Sequence, residues 1–215
     1  MIRRRREREQ TAPDEQAPSE PTDAASTPTR PRDSTEASAD EPGYVDLGPL
    51  RIRGRVGFQL QVPQDDGGGA GSVVLVTEEA GLELRAFAAP RSGGLWDEVR
   101  QELVAEVQRL DGQVEEVDGP YGPELRVQIP VTLPDGQDGF QPSRIVAVEG
   151  PRWMLRATFL GSAALEPDED GLLEQAFREV VVVRGDDPRP VREPLLIELP
   201  PDAEPVTLGP DGEPT

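Results

Sequence analysis

The feature that most restricts the fold of this chain is a change in hydrophobic period. Between about residues 44 and 94, apolar and polar side chains alternate in runs such as FQLQV, SVVLV and LELRAFA. Alternation over short runs is typical of antiparallel strands with one buried face. In LWDEVRQELVAEVQRL the apolar side chains instead recur every three or four residues, which predicts a helix of about four turns ending near Gly112.

Beyond Gly112 the period returns to two. The stretches QVEEVDG, ELRVQIPVTL, SRIVAVEG and RWMLRATFLG predict four further strands, and GLLEQAFREV predicts a second, shorter helix. We expect the acidic residues Asp168 to Asp170 to cap that helix rather than to bind a metal. The sequence therefore predicts an α+β domain: a curved antiparallel sheet of about seven to nine strands with two packed helices.

Both ends of the chain have a different composition. They are rich in Pro, Ser, Thr, Asp and Glu and poor in large apolar residues, so they cannot offset the entropy of ordering. We predict disordered tails at residues 1–43 and 201–215, around a single domain at residues 44–200. The first tail starts with the run Arg3 to Arg6, which suits either a solvated tail or a weak contact with an anionic surface.

Composition and charge restrict the cellular location and the partners that we expect for the chain. No stretch approaches the roughly 20 apolar residues of a membrane span, and the Arg-rich start lacks the apolar core of a secretion signal, so we expect a cytoplasmic chain. All 22 basic residues are Arg, there is no Lys, His or Cys, and 42 acidic residues give a net charge of −20. A nucleic-acid partner is therefore not expected, because this charge repels phosphate.

The missing residue types also exclude classes of active site. Ser-His-Asp and Cys-His catalysis, a Schiff-base Lys, and His or Cys metal sites all need side chains that the chain lacks. Chemistry based on paired carboxylates or carboxylate-bound Mg²⁺ stays open. We predict no catalytic residue, no resident metal and no cofactor, and an enzymatic activity is left undecided.

One candidate ligand site is the stretch PRSGG before the first helix. Its backbone N–H groups at Gly93 and Gly94 suit an anion, with Arg91 as a bidentate donor and Ser92 as a hydroxyl. The alternative is a strand-to-helix turn in which Ser92 or Gly94 caps the helix. Two acidic residues in the first helical turn already complement the helix end, which favours the turn.

A candidate partner surface consists of Trp96, Arg152 and Arg156. Trp96 is expected to anchor the first helix on the sheet. Arg152 and Arg156 have the same parity, so on a regular strand they share a face opposite the predicted core residue Trp153. Such a pair suits an acidic partner, or the carboxylates of the chain itself.

Three stretches, LRAFAAPRSGGLWDEVR, GPRWMLRATFLG and VVVVRGDDPRPVREPLLIELP, resemble an actinobacterial family of uncharacterised proteins, domain-of-unknown-function family 3710. The resemblance covers about residues 47–200 and implies no particular activity. The order of elements also resembles the Mog1/PsbP-like sandwich, whose members act mostly as binding or assembly modules. At the level of fold this is an analogy, because fold does not determine function.

Two functions are compatible with these observations. The first is a non-enzymatic cytoplasmic interaction or assembly module that offers a sheet face or the groove beside the first helix to an unidentified protein, or to a second copy of the chain. The second is a small anionic-ligand or nucleotide-related binding protein, with or without metal-assisted catalysis, that uses the turn at Arg91 and Ser92.

Overall fold

The computed structural model of the protein describes residues 28–39, 41–64, 69–132 and 136–199. Most of the two predicted tails, residues 1–27 and 201–215, lies outside the described residues. The described strands are β1 (Arg32–Asp33), β2 (Tyr44–Asp46), β3 (Leu50–Arg53), β4 (Gln59–Gln61), β5 (Val73–Val76), β6 (Ala80–Ala88), β7 (Gln113–Gly119), β8 (Gly122–Thr132), β9 (Asp138–Gly150), β10 (Trp153–Gly161) and β11 (Val181–Val182). The α-helices are α1 (Leu95–Arg109), α2 (Ser162–Leu165) and α3 (Leu172–Glu179).

The larger sheet has seven strands in the order β4-β5-β6-β10-β9-β8-β7, and every neighbouring pair is antiparallel. It is an open sheet, with β4 at one edge and β7 at the other. The four strands predicted after the first helix are β7 to β10, and they form one continuous meander. This sheet and its packed helices confirm the predicted α+β class.

The smaller sheet has four strands in the order β1-β11-β3-β2, so the last strand of the domain lies in its interior. Strand β1 pairs with β11 in parallel, and the Asp33 carboxylate accepts a hydrogen bond of 2.7 Å from the buried Trp153 indole. Residues 32–36 thus form a strand and a short 3-10 helix inside the stretch assigned by sequence to the first tail. Two residues are too few to show a hydrophobic period, so β1 could not be predicted from the sequence.

Apolar side chains pack against both faces of the seven-stranded sheet. On one face Trp153, Leu155 and Phe159 of β10 join the smaller sheet and α3 in the main core. On the other face Met154 of β10 and Leu125 of β8 pack against α1. The central strands are therefore buried on both sides, and alternation weakens in them.

The two predicted helices are α1 and α3, and a single turn, α2, was not predicted. Helix α1 starts at Leu95 and its last turn closes through the Gly112 N–H, which donates to the Val107 carbonyl at 2.9 Å. Helix α3 begins after Gly171 with no side-chain cap, so the predicted acidic cap was wrong: the Asp168 carboxylate accepts the Asp170 N–H within the preceding turn instead. Among the described residues, no helix is long and apolar enough to cross a membrane.

Candidate functional site

The start of α1 is held by a carboxylate from the sheet. Gly93 and Gly94 have φ angles of +69° and +87°, a region that glycine adopts at little cost, and they turn the chain into the helix. The backbone N–H groups of Gly94 and Leu95 donate to the Glu149 carboxylate near the end of β9, at 3.1 and 2.8 Å. A carboxylate of the chain thus occupies the position that we predicted for an anionic ligand.

The other members of the predicted anion loop point elsewhere. Arg91 and Ser92 are exposed, and neither side chain caps the helix. Gly94 is the N-cap residue, as the turn interpretation required, but its partner is Glu149 rather than its own segment. An incoming anion would have to displace Glu149 before it met these N–H groups.

Beside this helix start lies a cleft of about 450 Å³. Helix α1 contributes Trp96, whose indole N–H donates to the Pro123 carbonyl at 2.8 Å and so ties the helix to the start of β8. Only 6% of Trp96 is exposed, because most of the ring fills the core under α1. The cleft is lined by Thr29, Arg30, Trp96, Asp97, Pro120, Tyr121, Pro123, Ala147, Val148 and Glu149.

One wall of the cleft is the hairpin GPYGP between β7 and β8. Glycine is needed at its first position, because a Cβ on Gly119 would lie 2.3 Å from a carboxylate oxygen of Glu124. Tyr121 is half-buried, and its ring meets Phe177 of α3 edge to face at 4.9 Å between centroids. Its hydroxyl donates to Glu174 at 2.7 Å, so the ring is fixed from two directions.

Behind the hairpin lies a buried ion triad of Glu124, Arg144 and Glu174, three residues of β8, β9 and α3. Arg144 is 1% exposed and binds Glu124 at 3.2 Å and Glu174 by a short ion pair. Its guanidinium also stacks on the Phe159 ring, with 4.2 Å between the guanidinium carbon and the ring centroid. The triad joins the sheet to α3 at the point where Tyr121 reaches inward from the cleft.

Burial shifts the pKa of two groups in this region. Desolvation raises the pKa of the Tyr121 hydroxyl above its ordinary value, which keeps it a proton donor to Glu174. Desolvation also lowers the pKa of Arg144, and the Glu124 carboxylate partly restores it. Arg144 nevertheless stays charged, since a guanidinium holds its proton in proteins.

The predicted partner residues lie in three different places. Trp96 lines the cleft. Arg152 is not part of β10: it lies in the turn before it, with a φ of +64°, and donates to the Gly185 carbonyl at 2.9 Å. Arg156 does lie on β10, half-buried, with its guanidinium 5.6 Å from the Phe87 ring centroid and Arg85 opposite it on β6. The structure therefore does not bring Arg152 and Arg156 onto one strand face.

The carboxylates around the cleft are all engaged. Glu149 accepts two backbone N–H groups, and Asp97 pairs with Arg100 at 3.0 Å. Within the described residues, no group of three acidic side chains could hold a metal ion. The contacts of these carboxylates hold the helix start in place.

Sequence reasoning missed Glu149, the triad and the role of Tyr121. The stretch GPYGP contained a usable signal, since two Gly-Pro steps around a Tyr between strands mark a constrained turn. Glu149 and Arg144 gave none, because polar residues on alternating strands resemble ordinary surface positions.

Comparison with protein families assigns the chain to a family. A family model described as "Protein of unknown function (DUF3710)" matches residues 30–205. None of the curated proteins matches the chain. The family match spans most of the chain and both sides of the cleft, and the chain belongs to this family.

Proposed function

We propose that this member of the DUF3710 family is a non-enzymatic, cytoplasmic protein-interaction module whose cleft at the start of α1 takes an extended segment of a partner protein. The observation that carries the proposal is the cleft itself: about 450 Å³, walled by Trp96, Tyr121, Pro120 and Pro123. Aromatic and proline walls suit extended peptides, whose apolar side chains and proline rings pack flat against such surfaces.

The charges in the cleft support a binding role over catalysis. Because Glu149 accepts two N–H groups of the helix start and Asp97 pairs with Arg100, a substrate would have to compete with these contacts for either carboxylate. Arg30 forms no ion pair with the described residues, so it is available to a carboxylate or a carbonyl of the partner. A segment with one acidic residue beside apolar residues fits these surroundings.

The rigidity of the cleft also supports this role. Tyr121 is fixed by Phe177 and Glu174, and Trp96 by the Pro123 carbonyl. Aromatic side chains that are already ordered lose little entropy on binding, which is how a small site gains affinity. The buried triad thus serves the cleft indirectly, by holding the wall against which the partner packs.

Site-specific photo-cross-linking in the source cell tests the proposal. A photoreactive residue replaces Pro120, an exposed residue of the cleft, and a matched control replaces Ala105, an exposed residue of α1 outside it. We expect one reproducible adduct from position 120, identified by mass spectrometry, and none from position 105. The adduct should fade when Arg30→Glu reverses the charge that the cleft offers to an acidic residue of the partner.

Two results would contradict the proposal. Equal capture from both positions would mean that the cleft has no preference. A thermal-shift response to nucleotide or inorganic phosphate that disappears in Arg91→Ala, together with no adduct from position 120, would favour an anionic-ligand function at the turn before α1.

A further inference from the structure

The outer edge of β7 is an unpaired strand edge. Strand β7 ends the seven-stranded sheet, and in the described part of the chain no backbone hydrogen bond reaches its outer side. Its seven residues form a longer edge than the three residues of β4 at the opposite end. Free N–H and C=O groups along such an edge can pair with another extended chain.

The register shows which groups are free. Asp118 lies opposite Pro123, which has no N–H, so this position is not a doubly hydrogen-bonded pair. Paired and unpaired positions alternate along an antiparallel ladder. The backbone groups of Val114, Glu116 and Asp118 therefore point outward, spaced as an added strand requires.

The side chains along this edge are acidic. Glu115, Glu116 and Asp118 are all exposed. Glu116 pairs with Arg100 at 2.8 Å, whereas Glu115 and Asp118 form no ion pair with any described residue. A second copy of this acidic chain would place like charges opposite each other at this edge, which is unfavourable. A basic segment would instead gain attraction on both faces of β7.

A groove continues from the edge on the sheet face that carries Glu115. It measures about 340 Å³ and runs past Arg126 and Gln128 to Pro142 and Leu165. Leu165 is 60% exposed, so the far side of this groove is apolar. Side chains of an added strand that point to this face would meet Glu115 first and the apolar wall beyond it.

We propose that β7 is a second interaction site, at which an extended basic segment of a partner protein adds to the sheet as an eighth strand. Main-chain hydrogen bonds to Val114, Glu116 and Asp118 provide the pairing, and the acidic side chains select basic over acidic segments. This site is separate from the cleft beside α1 and does not depend on the function proposed for that cleft.

Titration of the full chain with a short peptide tests this site. The probe has eight residues, alternates Arg and Val and carries blocked ends; the control has the same sequence with alternate backbone nitrogens methylated. We expect only the unmethylated probe to bind and to slow amide hydrogen exchange at positions 114, 116 and 118. Glu116→Pro, which removes an outward N–H at an edge that tolerates proline, should weaken binding about tenfold. Glu116→Gln, which keeps that N–H, should weaken binding no more than about threefold.

Other outcomes overturn the proposal. Equal binding of the methylated peptide would reduce the interaction to charge alone, and equal binding by Glu116→Pro, with its fold verified by circular dichroism, would place the peptide elsewhere. If the three amides are already protected without peptide, and deletion of residues 1–27 removes that protection, the Arg-rich start of this chain is the occupant. Protection that rises with protein concentration in the absence of peptide would make it a second copy.

Discussion

Two arginines in this molecule each bridge a pair of glutamates, and they differ in almost everything else. Arg144 joins Glu124 to Glu174 inside the domain and is 1% exposed. Arg192 joins Glu98 to Glu102 on α1, at 2.8 Å to each, with 42% of its side chain exposed. Burial lowers the pKa of Arg144, whereas hydrogen bonds to Glu102 and Glu98 raise the pKa of Arg192.

The number of ion pairs that an arginine forms therefore says little about how much they stabilise the fold. Water screens the charges around Arg192 and solvates each partner when the pair opens. Little of Glu124 or Glu174 is open to solvent, since their side chains are 2% and 6% exposed, so either is costly to leave without its cation. The buried arginine is therefore indispensable once its two glutamates are present.

The largest expected effect comes from Arg144→Met. It removes the cation and leaves two buried carboxylates unpaired, so we expect the free energy of unfolding to fall by about 3–5 kcal/mol. Urea denaturation followed by tryptophan fluorescence measures this, since Trp96 and Trp153 are both buried. The triple variant with Glu124→Leu and Glu174→Leu should recover most of the loss. If the single variant loses less than the triple, the carboxylates are not the cause.

A smaller effect is expected from Tyr121→Phe. It removes the hydroxyl that donates to Glu174 while keeping the ring against Phe177. The free energy of unfolding should fall by about 1–2 kcal/mol, because a buried carboxylate loses one donor. In the background without Glu174 and Arg144 the same substitution should cost much less, and a double-mutant cycle measures the difference. Equal costs in the two backgrounds would show that Tyr121 acts independently of the triad.

The two tyrosines also limit the stability of the fold at alkaline pH. Burial raises the pKa of Tyr44 and of Tyr121 above 10.0, their value in the unfolded chain. A raised folded pKa of an acid gives stability that is present below about pH 10 and is lost as the pH rises through the folded value. The chain has no Lys or Cys, whose side chains would titrate in the same pH range, so we assign the loss of stability to the tyrosines. The free energy of unfolding, measured by denaturation from pH 9 to 11, should therefore fall less in Tyr121→Phe than in the parent chain. An unchanged slope would contradict this assignment.

The smallest effect is expected from Arg192→Ala. Its ion pairs lie in water, so the unfolding midpoint should fall by no more than about one degree, and by less as salt is added. Differential scanning calorimetry at low and high ionic strength checks both points. A drop as large as that of Arg144→Met would mean that Arg192 holds the segment after β11 onto α1 in a way that its exposure does not indicate.

Much of the fold could be predicted from the sequence, because period is a local property. The change from period two to three or four residues before Leu95 predicted α1, and four alternating runs predicted β7 to β10. In β9, residues 143–148 are buried on both faces, so Arg144 has the spacing of a surface residue and gives no sign of its burial.

The site was harder to predict than the fold. The cleft brings together Arg30, Trp96, Tyr121 and Glu149, which are distant in the chain. Trp96 was recognised as an anchor of α1, and the glycines as the turn before it. The partner of that turn, Glu149, is set by the register of β9 against β10, which no local pattern contains.

The position of β11 has a consequence for how the chain is made. In the smaller sheet β11 lies between β1 and β3, so β1 cannot be joined to the β2–β3 pair until Val181 and Val182 have left the ribosome. Long-range pairing of this kind is slow, so β1 stays unpaired until β11 has been synthesised. We expect nascent chains that stop before residue 180 to keep Leu50 and Ile52, both fully buried in the finished domain, open to chaperones. The smaller sheet is thus completed only when the last strand of the domain has been synthesised, because both β1 and the inner edge of β3 pair with β11.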